Sequence, residues 1–233
     1  MACIAPVPLS EGSAAGNVSA TMSARPHDLL IFDLDGTLYD TQSSFVPTMH
    51  AVYTEYEMPH PSDAAILGFV GETFSVFLDW LMDQGFPGDR GALANRIAEI
   101  ELASIRERGR LFPGVRETLE RLRDRGYSIA LCTNGDRRYA NVVLSACGIL
   151  PLFDELQTND GDGPTKVDLV RQLLQRVPHK RAFVIGDRYH DMEAGRANSC
   201  TVVAAAYGFG KPDELEVADL RIEQFPELLT LLE

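Results

Sequence analysis

The sequence predicts an α/β protein, a parallel sheet covered on both faces and interrupted by an inserted all-helical subdomain. Three observations carry this expectation. Short apolar runs at 29–32, 127–132, 182–185 and 201–206 are each followed by polar residues or glycine. The runs are continuous rather than alternating, as in strands buried on both faces, and helical patterns separate them. Between the first run and the next βα pattern lie roughly 70 residues of helical periodicity, far beyond the 2–6 residues of an ordinary connection.

The first strand, Leu29-Leu30-Ile31-Phe32, ends in Asp33-Leu34-Asp35-Gly36-Thr37-Leu38. In the insert, Phe45, Met49, Val52, Tyr53 and Tyr56 share one helix face. Phe74, Phe77, Leu78 and Leu81 mark a second helix, and Leu93, Ile97 and Ile100 a third running toward Arg108. The expected hinges lie near 40–43 and 109–113. The domain reading is a flexible tail at 1–26, a core formed by 27–40 and 111–233, and a helical subdomain at 41–110.

Downstream, Pro113-Gly114 opens a helix through Val115, Leu119 and Leu122 that Gly126 closes. The strand at 127–132 runs into Thr133-Asn134-Gly135, and the next helix turns Ala140, Val143, Leu144 and Cys147 inward. Leu152 to Leu156 reads as a short strand, and Lys166 begins an amphipathic helix. The strand at 182–185 ends in Gly186-Asp187, with Asp191 four residues on, at the start of a further helix. The strand at 201–206 is expected to be the last, with a closing helix from Phe225 to Leu232.

Composition narrows the partners. The 233 residues carry a formal net charge of −13, which disfavours nucleic acid and anionic membranes but leaves room for a local anion site. No apolar run approaches the ~20 residues that span a bilayer. The four cysteines, Cys3, Cys132, Cys147 and Cys200, contain no C-x-x-C pair and read as free thiols in a reducing, cytoplasmic compartment. The last three are expected to be buried.

The polar residues cluster just after strands, where open α/β sheets bind ligands. Two carboxylates held as close as Asp33 and Asp35 repel by about 4 kcal/mol at ~4 Å and an effective dielectric near 20, so a cation must offset them or one must take a proton. The expectation is that Asp33 is a nucleophile toward phosphorus beside a hard divalent cation. An all-oxygen octahedral ligand set points to Mg²⁺, with Asp33 and Asp187 as side-chain ligands and Asp191 binding through water or holding Lys166. Thr133 offers a hydroxyl, as phosphate ligand, helix N-cap or both. The backbone of Asn134 and Gly135 offers N–H donors at a helix N-terminus, and Lys166 an ammonium for the phosphoryl oxygens. Asp35, its pKa raised by acidic neighbours, suits a general acid and base. His190 reads as an exposed loop histidine, and Glu72, Arg106 and Arg108 as solvated side chains of the insert.

Taken in order, Asp33-Leu34-Asp35-Gly36-Thr37-Leu38, Thr133-Asn134-Gly135, Lys166 and Gly186-Asp187-Arg188-Tyr189-His190-Asp191 resemble the four signatures of the haloacid dehalogenase superfamily of phosphohydrolases. The resemblance spans about residues 28–233. It implies a Rossmann-like core with a helical cap, of the subgroup that includes phosphoglycolate phosphatases. It further implies Asp33 as nucleophile, Asp35 as general acid/base, and Thr133 and Lys166 as phosphoryl ligands. Mg²⁺ would be held by Asp33, the Asp35 carbonyl and Asp187, with Asp191 in support. The implied substrate is a small phosphorylated metabolite of phosphoglycolate type, hydrolysed through an aspartyl-phosphate. The alternatives are a phosphosugar mutase or a non-catalytic metal- or phosphate-binding protein.

Overall fold

The computed structural model describes residues 27–160 and 163–232. The tail expected at 1–26 lies outside them. Six strands, β1 (His27–Phe32), β2 (Ser128–Cys132), β3 (Glu155–Gln157), β4 (His179–Gly186), β5 (Thr201–Ala205) and β6 (Leu220–Ile222), form one sheet in the order β3-β2-β1-β4-β5-β6. Every neighbouring pair is parallel.

The central strand shows why its apolar run is continuous. Leu30 and Phe32 enter one hydrophobic cluster, with the helix α5 (Val115–Asp124) residues Leu119 and Leu122. Leu29 and Ile31 face the opposite way, onto Leu169, Val170 and Leu173 of α7 (Lys166–Arg176). All four β1 side chains are essentially inaccessible to solvent, each contributing about 1.5–3 kcal/mol of burial. With successive side chains on opposite faces, only a strand apolar at every position satisfies both layers.

The helical insert comprises α1 (Gln42–Glu55), α2 (Asp63–Leu67), α3 (Phe74–Asp83) and α4 (Arg90–Arg108). It has an apolar cluster of its own, centred on Met49, Val52, Tyr53, Ile66, Leu81 and Ile97. Its two connections to the sheet layer run side by side. Asp40 N–H donates to the Arg110 carbonyl and Phe112 N–H to the Leu38 carbonyl. The entry and exit chains thus form a short backbone-paired neck.

Three local expectations are corrected. The strand expected at 152–156 is displaced to Glu155–Gln157, because Leu150–Leu152 form a 3-10 turn with Pro151 at its start. β5 is not the last strand: β6 adds an edge, too short and too exposed at Leu220 and Arg221 to show as an apolar run. The closing helix is a 3-10 turn followed by the single turn α9 (Leu228–Leu231). Of the cysteines, Cys132 and Cys200 are buried, whereas Cys147 is only half-buried.

Candidate active site

The ends of β1, β2 and β4 bring the sequence-predicted residues to one side of the sheet. Asp33 follows β1, Thr133 follows β2, and Asp187 follows β4. Lys166 opens α7, where Thr165 and Asp168 form a reciprocal capping box that fixes the first turn. Asp191 lies in the first turn of α8 (Tyr189–Ala197), its Oδ2 accepting from the Arg188 backbone N–H at 3.1 Å.

Lys166 is the electrostatic centre. Its Nζ donates to Asp33 Oδ1 at 2.6 Å and lies 2.5 Å from Asp191 Oδ1. All three side chains are buried. The contact with Asp191 is an ion pair of poor hydrogen-bond direction, so Asp191 Oδ1 lacks a well-aimed donor. Asp187 is locked from two sides: Thr37 Oγ1 donates to its Oδ1 at 3.2 Å, and the Phe209 backbone N–H to its Oδ2 at 2.7 Å. Glycines leave room for these carboxylates. A methyl group on Gly36 or Gly208 would collide with Asp187, and one on Gly186 with Asp191.

Ligand oxygens of Asp33, Asp187 and Asp191 lie within 4.8 Å of one another. Three carboxylates against one ammonium leave two formal negative charges among side chains that are almost fully buried. Burial raises Asp33 well above the usual carboxylate range, with Asp191, Asp187 and Asp35 adding repulsion and Lys166 opposing it. Burial, then Asp191, pushes Asp187 up to about 7. Burial works against the charge on Lys166, but Asp191 and Asp33 outweigh it and keep the ammonium protonated. The charge deficit, the oxygen-only donors and the poorly satisfied Asp191 Oδ1 fit a hard divalent cation.

Asp35 has a different environment. Thr41 Oγ1 and the Tyr139 hydroxyl both donate to its Oδ1, at 2.7 and 2.6 Å. Burial raises its pKa, and the two hydrogen bonds only partly offset this. The side chain is turned toward a cavity and away from the three-carboxylate cluster, so any ligand atom it gives a metal there would be its backbone carbonyl. Thr41 and Tyr139 carry no signature of their own. Tyr139 reads from sequence as one more helix residue, and only its position one turn into α6 (Arg137–Ala146), after the β2 end, singles it out.

Other expectations change at this site. Thr133 Oγ1 accepts the Gly135 N–H at 3.0 Å, so it shapes the loop after β2 rather than capping a helix. The N-terminus of α6 is capped by Asp136, whose Oδ1 accepts from Tyr139 N–H at 2.7 Å. Asn134 and Gly135 therefore precede the helix instead of forming its free N-terminus. The Asn134 side chain donates to the Gly71 carbonyl of the insert at 2.9 Å. Glu72 and His190 are not solvated residues either, since His190 Nε2 lies 3.3 Å from Glu72 Oε2. Arg106 and Arg108 are exposed, as expected.

A cavity of about 150 Å³ lies between the strand ends and the insert, and Asp33, Asp35 and Thr133 form its floor. The site therefore pairs a buried charged cluster with a partly open space for the remainder of a ligand.

Comparison with known proteins agrees with this arrangement. A phosphoglycolate phosphatase of Haemophilus influenzae is 29% identical over 227 residues, covering 88% of this chain and 97% of that protein. A 5'-nucleotidase of Pseudomonas aeruginosa is 27% identical over 192 residues, covering 80% and 86%. Among solved structures, a haloacid dehalogenase-like family hydrolase from Streptococcus pneumoniae superposes with a TM-score of 0.76 at 25% identity, covering 89% of this chain and 99% of the other. The haloacid dehalogenase-like hydrolase family model matches residues 30–205, from the middle of β1 to the end of β5, and so takes in the three strand-end signatures and Lys166. With the acids, the hydroxyl and the ammonium assembled on that frame, the chain is a hydrolase that belongs to the haloacid dehalogenase-like family.

Proposed function

We propose that this hydrolase is a Mg²⁺-dependent phosphatase that releases phosphate from a small-metabolite phosphomonoester through an aspartyl-phosphate on Asp33. The observation that carries the reading is the bridge from Lys166 to Asp33 and Asp191, with an Asp187 oxygen inside the same 4.8 Å cluster. Asp33, Asp187 and the Asp35 carbonyl would hold the cation, with Asp191 in support. When bound, Mg²⁺ would supply the positive charge that lets an anionic nucleophile meet an anionic phosphoryl group.

The chain's own residues divide the remaining work. A carboxylate oxygen of Asp33 attacks phosphorus, and the bond from phosphorus to the leaving oxygen breaks. Lys166 holds the nucleophile and balances charge on the phosphoryl oxygens, alongside the Thr133 hydroxyl. Because Thr41 and Tyr139 both donate to Asp35 Oδ1, its Oδ2 is the atom that carries the transferable proton. That proton goes to the leaving oxygen. Asp35 then takes a proton from water as the water attacks phosphorus and frees the Asp33 carboxylate.

The relatives named phosphoglycolate phosphatase make phosphoglycolate the reference substrate. The net charge argues for a small molecule over nucleic acid, and no described helix is long and apolar enough to cross a membrane. The free thiols of Cys132, Cys147 and Cys200 support a reducing, cytoplasmic setting. Phosphate release from a phosphomonoester panel, with and without Mg²⁺, is the direct test. Release that is Mg²⁺-dependent and lost in Asp33→Asn is the expected result. Isomerised sugar phosphate without free phosphate would instead identify a mutase.

A further inference from the structure

The cavity wall beyond Asp35 has a chemistry that the phosphate end does not require. Phe45 of α1, Phe69, and Phe74 and Phe77 of α3 supply an apolar side. Into this wall α4 presents Ala98, Glu101 and Leu102, spaced so that they share one helix face. Glu101 makes no hydrogen bond or ion pair among the described residues. Glu72 and Asp136 also line the space, and Arg138 is the one basic side chain on the wall among the described residues. Arg138 is exposed, where solvent screens it. Burial first, then Asp35 and Asp136, push Glu101 up to about 8, the mark of a carboxyl group lacking a counter-charge.

We propose that the substrate's leaving group carries an ammonium on a short apolar body, and that Glu101 is the specificity-determining residue that pairs with it. This rests on the phosphatase reading above and departs from its reference substrate, since the leaving group of phosphoglycolate carries a carboxylate and the one named here carries a cation. The phosphoryl end is fixed by Lys166 and Asp33, so the remainder of the substrate points into a space walled by phenylalanines and carboxylates. A carboxylate there faces Glu101 and finds no basic side chain on the wall, among the described residues, but the exposed Arg138. An ammonium draws Glu101 into its ionised form and pairs with it, and it meets the faces of aromatic rings, which also attract cations.

Three matched aryl phosphates test this, each assayed with Mg²⁺: tyramine O-phosphate (ammonium), 3-(4-phosphonooxyphenyl)propionate (carboxylate) and 4-ethylphenyl phosphate (neutral). The ammonium ester is expected to exceed the carboxylate ester in kcat/KM by about tenfold or more, the range of a charged hydrogen bond. Glu101→Gln should collapse that ratio, chiefly through KM, and Glu101→Lys should invert it. Equal or better use of the carboxylate ester by the wild-type protein, as recognition through Arg138 would give, overturns the proposal. So does an unchanged ratio in Glu101→Gln. Should a variant fail to fold, inhibition of wild-type turnover of the neutral ester by tyramine against 3-phenylpropionate decides the same point. If neither these esters nor any phosphomonoester of the wider panel releases phosphate, the phosphatase reading has failed. Calorimetric binding of the ammonium and carboxylate esters to the wild-type protein then still supports or refutes the assignment of Glu101.

Discussion

The Tyr139 hydroxyl donates to Oδ1 of Asp35 at 2.6 Å, joining α6 to the loop after β1 across 104 positions of chain. With Thr41 on the same oxygen, it fixes the carboxyl's orientation and stabilises its ionised form. Burial opposes that stabilisation and is the larger effect, so Asp35 sits above the usual range. Tyr139→Phe removes a force that lowers the pKa. The limb of the pH–rate profile governed by Asp35 should therefore move to higher pH. Losing a hydrogen bond to a charged group should also lower kcat/KM by about 10- to 100-fold. A profile of phosphate release against pH checks both.

Asp33→Asn separates chemistry from stability. The amide cannot attack phosphorus, and turnover should fall by more than about a thousandfold. Stability should not fall with it. The substitution removes a desolvated charge from a cluster with excess negative charge, and Lys166 keeps Asp191 at 2.5 Å. Replacing a poorly compensated buried charge is often neutral or stabilising. A thermal melt of the metal-free variant at or above the wild-type midpoint is the expected result.

The frame and the charged cluster were legible because both depend on short local rules. A strand buried on two faces must be apolar at every position, so β1 and β4 announce themselves, and the polar residues after them fall at the sheet edge by topology. Register also carried information: Leu29 to Phe32 pair with 128–131 on one side and 182–185 on the other, bringing Asp33 and Asp187 together. What stayed hidden depends on contacts between elements. Glu101 breaks the apolar face between Ile97 and Ile105, a signal present in the sequence but ambiguous without knowledge of what α4 covers. Glu72 and His190 look solvated until the insert meets the loop after β4. β6 is held by sheet pairing with Val203 to Ala205, not by its own pattern.

Lys166→Met should be the most damaging single change to stability. It leaves Asp33 and Asp191 buried without their shared counter-ion, a loss of about 3–5 kcal/mol at neutral pH. The defect should shrink on acidification, because protonation removes the uncompensated charge. Urea midpoints of wild type and variant, both metal-free, should converge between pH 7.5 and pH 5.

Metal-free wild-type protein should itself lose stability as pH rises. Asp187 is raised from 3.8 to about 7, and Asp33 is raised as well, so the folded state binds more protons than the unfolded chain in this window. Stability is then greatest below the unfolded value near 3.8 and declines as pH climbs to about 7. From these two groups the difference should be on the order of a few kcal/mol, reduced by other carboxylates that titrate oppositely. On the proposed function the ionised cluster is the Mg²⁺ site, so the cation should raise the melting temperature most at neutral pH and little near pH 4. A melt series at fixed ionic strength, with and without the cation, reads both slopes.

Arg188 fastens the insert to the sheet edge. It is buried at the start of α8, donates to the Val70 carbonyl, and lies 3.6 Å from Glu72 and 3.0 Å from Glu214. Asn134 holds the adjacent Gly71 carbonyl, so two strand-end residues grip consecutive peptides of the segment that roofs the cavity. Gly71 has a φ of 91°, and a methyl group there would press on Arg188 Cγ, so the grip depends on glycine at that point. Arg188→Met keeps the backbone N–H that Asp191 needs and removes only the guanidinium. The segment from 69 to 73 should then exchange its amide hydrogens faster, while the strands β1 and β4 keep their protection. Because this segment encloses the leaving group rather than the phosphoryl site, KM should rise several-fold more than kcat falls. Unchanged exchange at 69–73 with an unchanged KM would show that the neck at Leu38–Asp40 and Arg110–Phe112 holds the insert in place without Arg188.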